Sequence, residues 1–232
     1  MKIILGLILL ILLSFPVWRL ASRRRSLPCP VWLGWLVEMD NPFTRTNRAS
    51  TILSLLDIRP GMFVADVGCG PGRLSIPLAQ NVGKEGHVIA MDMQEGMLSR
   101  TCQKAKASGL DNITFLKAGA GSGALAGYRF DRVLLVTVLG EIPDPKPALA
   151  EIYQALKPDG ILSVTEIIFD PHFQKKESVL QLASSIGFKE KGFYGNAIAY
   201  TLHLEKQPAR QQYPSIPHHK DKQWMNSQRK PQ

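Results

Sequence analysis

At 232 residues and 25.7 kDa the chain has room for one substantial α/β core with appendages, and too little for two full domains. Its hydrophobic content of 45% and charged content of 20% are those of an ordinary globular protein. The net charge of +9 sits at the ends: Lys2, Arg19, Arg23, Arg24 and Arg25 supply five positive charges before residue 26, and the tail after Lys206 a net four. Residues 26–206 therefore balance to zero and carry no basic field that would recruit nucleic acid. Cys29, Cys69 and Cys102 form no metal-ligand spacing and cannot all pair, so no metal is expected and a reduced, cytosolic setting is the simpler reading.

The chain opens on a membrane signal. Residues 3–18 read IILGLILLILLSFPVW without a charge, and Arg19 and the Arg23, Arg24, Arg25 cluster follow directly. A spanning helix wants about 20 apolar residues, so the run is at the short end, and Pro16 loosens its last turn. A cleaved signal peptide would put the positive charge first and a small-x-small site after, whereas here the arginines lie downstream. Few soluble helices are apolar on every face, which tells against a buried core helix. Residues 1–25 are thus read as a single-pass anchor with a basic flank, its arginines holding the following domain on the cytoplasmic side. Residues 26–50 form an amphipathic linker or lid. Within it Trp32 and Trp35 suit headgroup depth or packing on the domain equally well, and residues 38–50, with Phe43, Arg45 and Arg48, are expected to cover the pocket.

Residues 51–206 alternate short apolar runs with helical patterns, which predicts a Rossmann-like, doubly wound α/β sheet, mostly parallel. Strands are expected at 63–67, 87–91, 113–116, 132–136 and 161–166, with helices at 73–80, 95–107, 147–156 and 177–185. Strands at 189–193 and 198–204 are joined by so short a connection that they must pair antiparallel, closing a seven-stranded sheet with a C-terminal hairpin. The basic tail of residues 207–232, rich in Gln, Pro, Lys and His, has no apolar periodicity and is expected to be disordered.

VADVGCGPGRLSIPLA, residues 64–79, carries the chemistry. A buried strand ends in Asp66, and Gly68, Gly70 and Gly72 make a tight turn that opens a helix whose N-terminus suits a carboxylate. A dinucleotide fold needs a third small residue three positions past the second glycine, but Arg73 stands there, and Asp66 would repel a pyrophosphate. Asp66 suits instead a ligand bearing an ammonium group, such as the methionine end of S-adenosylmethionine. Asp92, 20 positions after Gly72, can accept from both hydroxyls of a ribose or cap the following helix, and the two roles are compatible. Met93 can lie against a face of adenine.

DVGCGPG, then MDMQEGML, then LKPDGILSVTE resemble the successive motifs of class I S-adenosylmethionine-dependent methyltransferases, and within them most closely those of the ubiquinone/menaquinone-type group. The resemblance covers about residues 50–206. It implies S-adenosyl-L-methionine as cofactor, with Asp66, Gly68, Gly70 and Gly72 at its methionine end, Asp92 at its ribose, and the segment after the third strand beside the adenine. Relatives commonly carry an aspartate in that segment. This chain reads Ala118-Gly119-Ala120-Gly121, so backbone groups, the N–H of Ala120 foremost, are expected to hold the adenine next to Gly119.

Methyl transfer asks for a positioned nucleophile and, where the acceptor has a proton to lose, a base. Substrates of open α/β sheets lie beyond the carboxyl ends of the strands, which places Glu141, Glu166, Asp170 and His172 as acid/base candidates. Each also has a structural role open to it: a turn cap for Glu141, a buried hydrogen-bonding group for Glu166, a loop residue for His172. The expectation is a membrane-anchored methyltransferase for a small apolar or lipid-like acceptor. A soluble acceptor, or a scaffold that binds the cofactor without turnover, are the alternatives.

Overall fold

The computed structural model describes residues 29–31, 34, 38 and 44–207. The expected anchor, Trp32, Trp35, Phe43 and residues 208–232 lie outside the described residues. Among those described, no helix is long and apolar enough to cross a membrane.

Twelve regular elements follow in chain order: α1 (Ala49–Leu55), β1 (Phe63–Val67), α2 (Ser75–Val82), β2 (His87–Asp92), α3 (Glu95–Ala107), β3 (Ile113–Lys117), β4 (Phe130–Val136), α4 (Pro145–Ala155), β5 (Leu156–Ile167), α5 (Lys176–Ile186), β6 (Phe188–Gly195) and β7 (Ala199–Lys206). Short 3-10 turns occupy Arg45–Asn47 and Leu139–Glu141. The seven strands form one sheet in the order β3-β2-β1-β4-β5-β7-β6. The pairs β1–β2, β1–β4, β2–β3 and β4–β5 are parallel; β7 runs antiparallel to both β5 and β6. The expected mostly parallel, seven-stranded architecture with its antiparallel C-terminal pair is what the chain forms.

Burial explains the composition of the strands. In β1, Val64, Ala65, Asp66 and Val67 are all buried, as a central parallel strand covered on both faces requires. On one side Ala65, Val67, Ile89, Val133 and Leu135 pack with α4 and α5 residues such as Leu149 and Val179; on the other Val64, Val88 and Leu134 meet Ile52 of α1 and Leu78 of α2. Helix ends follow their local chemistry. Asp144 accepts from Lys146 N and Pro145 opens α4, while Gly187, with φ of 113°, ends α5 in the left-handed region that glycine tolerates.

Four differences from the sequence reading have identifiable physical causes. The helix after the glycine turn, expected from residue 73, begins at Ser75 because the turn closes on itself, Gly72 N donating to Cys69 O at 3.1 Å. The strand expected from residue 161 instead starts at Leu156 and loops out Pro158-Asp159-Gly160, so that β4 partners step from Leu156 directly to Ile161. Gln207 belongs to the fold and not to the tail, since its N–H donates to Gly187 O at 2.8 Å. Finally, α1 spans the expected border between lid and domain: Ile52, Leu53 and Leu56 are buried, and Arg132 Nε donates to Leu56 O.

Candidate active site

The strand order reverses between β1 and β4, and the crevice above their carboxyl ends is where an open α/β sheet binds ligands. The glycine turn leaves β1 at this point. Gly68 N and Cys69 N both donate to Met91 O, at 2.8 and 2.9 Å, and Gly70 N donates to Asp92 Oδ2 at 2.9 Å. These amides are spent inside the fold, so the turn offers a ligand space and shape more than donors. Gly68 has φ of 74°, and a Cβ there would lie 2.4 Å from Val138 Cγ2. Gly72 has φ of 85°, with Thr101 Cγ2 2.7 Å from its would-be Cβ. Side chains at either position collide with neighbours and strain the backbone. Opposite Gly68, at the end of β4, Thr137 is held at φ of 56°, a rare conformation for a β-branched residue.

Asp66 is buried beneath the turn, accepting from Ser75 Oγ at 2.6 Å. Burial pushes its carboxyl up to about 6, countered in part by Ser75 and Arg73. Asp92 is 8% exposed at the end of β2 and accepts from Gly70 N and Gln94 N. It therefore ties the glycine turn to Gln94, the N-cap of α3, without itself capping the helix, and each oxygen keeps a second lone pair for a ligand hydroxyl. Met93, next along, is 60% exposed over the crevice. The loop after β3 carries no acid of its own but borrows one: Glu151 of α4 accepts from Gly121 N at 2.8 Å and from Leu125 N at 2.6 Å. A Cβ at Gly119 would meet nothing within 4 Å, so the loop leaves room for a flat ligand.

The acceptor side is assembled from distant segments. Gly140 lets the turn Leu139–Glu141 pass under the loop after β5, since a Cβ there would sit 2.0 Å from His172 O. Glu141 thereby comes within 3.9 Å of His172 Nδ1, and Asp170 within 3.8 Å. His172 is 4% exposed, and neither ring nitrogen has a hydrogen-bond partner among the described residues. Glu166 lies deeper, 1% exposed; its Oε2 accepts from Gln174 N, and Gln174 Nε2 in turn donates to His172 O at 2.7 Å. Glu166 thus holds the loop that carries His172 and does not itself reach the crevice. Burial raises Glu166 to about 8. Glu141 is also raised to about 8, by burial and then by Asp170 and Asp92, against a hydrogen bond from the Cys29 N–H.

That last contact was not anticipated. The segment at the mouth comprises residues 29–31, upstream of the expected lid of 38–50. Cys29 O accepts from Gln94 Nε2 at 2.9 Å, and its thiol is pushed up to about 11 by burial and by Glu141, Asp170 and Asp92. The strap continues along α3: Val31 fills the space above Gly96, Gly34 lies against Arg100 and Met97, and Glu38 pairs with Lys104 at 2.8 Å. Farther on, Arg73 Nη1 donates to Asn47 O at 2.7 Å, which fastens residues 45–47 over the turn. Glycine or acid signals could not have revealed Cys29 or Glu151, because each acts through tertiary contact alone. A cavity of about 90 Å³ between Leu139, Pro145 and Val179 is far smaller than a small-molecule site and includes none of the glycine turn.

Comparison with known proteins agrees with this geometry. Residues 58–226 match the model of a family described as a methyltransferase domain. The chain belongs to the class I S-adenosylmethionine-dependent methyltransferases. Among curated members it is similar to demethylmenaquinone methyltransferase of Listeria welshimeri, at 34% identity over 111 residues, covering 48% of this chain and 47% of that one. It is also similar to the nocamycin O-methyltransferase of Saccharothrix syringae, at 31% over 127 residues, 55% of this chain and 45% of that one. The chain spans about half the length of the curated relatives it matches. In fold it is similar to a SAM-dependent methyltransferase from Aquifex aeolicus, with TM-score 0.66 and 19% identity over 76% of this chain and 98% of that one. The magnesium protoporphyrin IX methyltransferase of Synechocystis, solved with bound SAM, has TM-score 0.58 and 21% identity over 80% and 90% of the two chains.

S-adenosylmethionine fits this methyltransferase's crevice on its charge. Asp66, Asp92, Glu141 and Asp170 lie near one another there: Asp92 raises Asp66, and Asp170 and Asp92 raise Glu141. Such a cluster disfavours a pyrophosphate and favours a ligand with a sulfonium and an ammonium.

Proposed function

We propose that this methyltransferase transfers a methyl group to a small, apolar or lipid-like acceptor presented at a membrane. The convergence of Asp92, Glu141, Asp170 and His172 around one crevice carries the reading, supported by the relatives that act on demethylmenaquinone and nocamycin. Asp66 and the turn of Gly68, Gly70 and Gly72 take the methionine end, Asp92 the ribose hydroxyls, and Met93, Gly119 and Ala120 the adenine. The cofactor supplies an electrophilic methyl on a positively charged sulfur, which leaves as a neutral thioether. Glu141 accepts the acceptor's proton as the new bond to the methyl carbon forms. His172 stands 3.9 Å from Glu141 and 3.8 Å from Asp170, and Glu166 holds its loop in place through Gln174. The positive charge of a bound cofactor would favour the ionised form of Glu141, so that more of this carboxylate would be free to take a proton when the methyl donor is present.

Residues 1–25 anchor the chain with a short N-terminus outside and the domain on the cytoplasmic face. The support is the imbalance between Lys2 before the apolar run and Arg19, Arg23, Arg24 and Arg25 after it. Incubating the detergent-solubilised protein with methyl-labelled cofactor, once with a membrane lipid extract and once with a soluble metabolite fraction, tests the acceptor class. Label in the lipid fraction is expected; label only in soluble metabolites would overturn the apolar acceptor, and no label in either would point to a cofactor-binding scaffold. Protease added to intact spheroplasts is expected to spare the domain and to cut it after lysis.

A further inference from the structure

Five large apolar side chains are exposed among the described residues: Met93, Ile168, Phe169, Tyr194 and Ile198. All five stand at one edge of the molecule. Met93 follows β2, Ile168 and Phe169 follow β5, and Tyr194 and Ile198 bracket the β6–β7 turn, which antiparallel pairing brings to the carboxyl end of β5. Ile168 N donates to Ile198 O at 2.7 Å, which joins the end of β5 to the hairpin turn, and Tyr194 stands on the same hairpin with its ring 5.0 Å from that of His203. Met93 belongs to the adenine side of the crevice. The other four, with Phe169 at 59% and Ile198 at 52% exposure, have no part in the chemistry above. Chance would scatter such residues singly over a surface; a cluster at one edge marks an interaction surface.

We infer that this edge lies against the lipid bilayer, so that the crevice opens onto the membrane and takes its acceptor from it. The inference rests on the anchoring role proposed for residues 1–25, and two further observations join the edge to it. Cys29 is pinned at the crevice mouth through Gln94 and Glu141. Only four positions separate it from Arg25, a reach of at most about 14 Å. So short a link would tie the proposed anchor to the crevice mouth and hold the sheet's carboxyl edge nearest the membrane. The rim is also cationic: Arg45 and Lys175 are exposed, Arg45 beside Thr46, which packs on Gly195 of the hairpin, and Lys175 at the N-cap of α5 six residues after Phe169. Apolar side chains flanked by two exposed cations suit an anionic leaflet, with Phe169 and Ile198 entering the acyl boundary and the cations meeting headgroups.

The test uses the full chain in vesicles of phosphatidylethanolamine and phosphatidylglycerol whose acyl chains carry a photoactivatable diazirine. After flotation and illumination, mass spectrometry maps lipid adducts. Adducts are expected within residues 166–175 and 192–200 as well as in residues 1–25, at several-fold the yield of the exposed loop 83–86 at the opposite edge. The pair F169D and I198D is expected to abolish the adducts at the edge while flotation is kept. A chain that floats but gains adducts only in residues 1–25 would overturn the docking edge and leave the anchor standing. The same pattern results if a second copy, or the chain's own terminus, covers the patch. A chain that does not float overturns the anchor reading, and this inference with it.

Discussion

The two halves of the crevice are built on opposite plans. The cofactor half is nearly continuous in sequence: Asp66 to Ser75 and Asp92 to Gln94 contact one another directly, through hydrogen bonds of 2.6 to 2.9 Å. The acceptor half draws Cys29, Glu141, Glu166, Asp170, His172 and Gln174 from separate segments, and its central imidazole meets both carboxylates only at 3.8 to 3.9 Å. A ligand common to a whole family can be served by a tight, local motif. An acceptor that differs among relatives is served by loops, which change without disturbing the sheet.

The sharpest way to break that comparison is to place one methyl group in each half. Gly68→Ala adds a Cβ 2.4 Å from Val138 Cγ2 at a φ of 74°, and we expect it to cost about 3 kcal/mol in urea unfolding and to abolish cofactor binding. Adding Val138→Ala should restore the part due to collision and leave the part due to backbone strain. Gly140→Ala places its Cβ 2.0 Å from His172 O and should cost about 2 kcal/mol. Because it displaces only the His172 loop, cofactor affinity measured by calorimetry should be nearly unchanged while methyl transfer collapses. Equal loss of cofactor binding in both variants would show that the halves are one unit.

Asp92→Ala tests the local half at its hinge. It removes the acceptor of Gly70 N and Gln94 N together with any bond to the ribose, and affinity should fall at least about tenfold, or roughly 1.4 kcal/mol. Unchanged affinity would place the ribose elsewhere.

The smallest expected effect is a pH dependence. Glu141 is raised from 4.5 to about 8 in the fold, so the native state holds a proton that the unfolded chain has released between those values. Its contribution to stability is therefore present below about 4.5 and is lost as pH rises through about 8. Glu166 acts in the same window and the same direction. Urea unfolding of the free protein should show stability falling across that range, with a shallower slope in Glu141→Gln. A cation in the crevice favours the ionised carboxylate, so cofactor binding should release protons and tighten with rising pH. The absence of proton release in calorimetry across buffers of different ionisation enthalpy would place the cofactor's charge away from Glu141.

Much of the fold was legible without coordinates. Strand positions followed from runs such as Val64–Val67 and from the short link that forces β6 and β7 to pair, because side-chain burial leaves a period in the sequence. The glycine turn was legible for the same reason: a backbone that must adopt positive φ at Gly68 and Gly72 admits few other residues. Cys29 lies within the 26–50 linker and upstream of the 38–50 segment expected to cover the pocket. Nothing local in Cys29 tells that its backbone will bridge Gln94 and Glu141, which stand 47 positions apart.

What the sequence alone determined is the set of pieces whose cause is local: the alternation of strand and helix, the cofactor turn, Asp92 at a strand end, and a neutral domain between basic ends. Tertiary structure decided which of the four acid/base candidates reach the crevice. Glu141 does so because Gly140 lets its turn slip beneath His172, whereas Glu166, one residue before the end of β5, is sealed at 1% exposure and serves the loop above it. Burial and proximity are properties of the packed chain, and in a crevice lined with carboxylates they set both charge and reach.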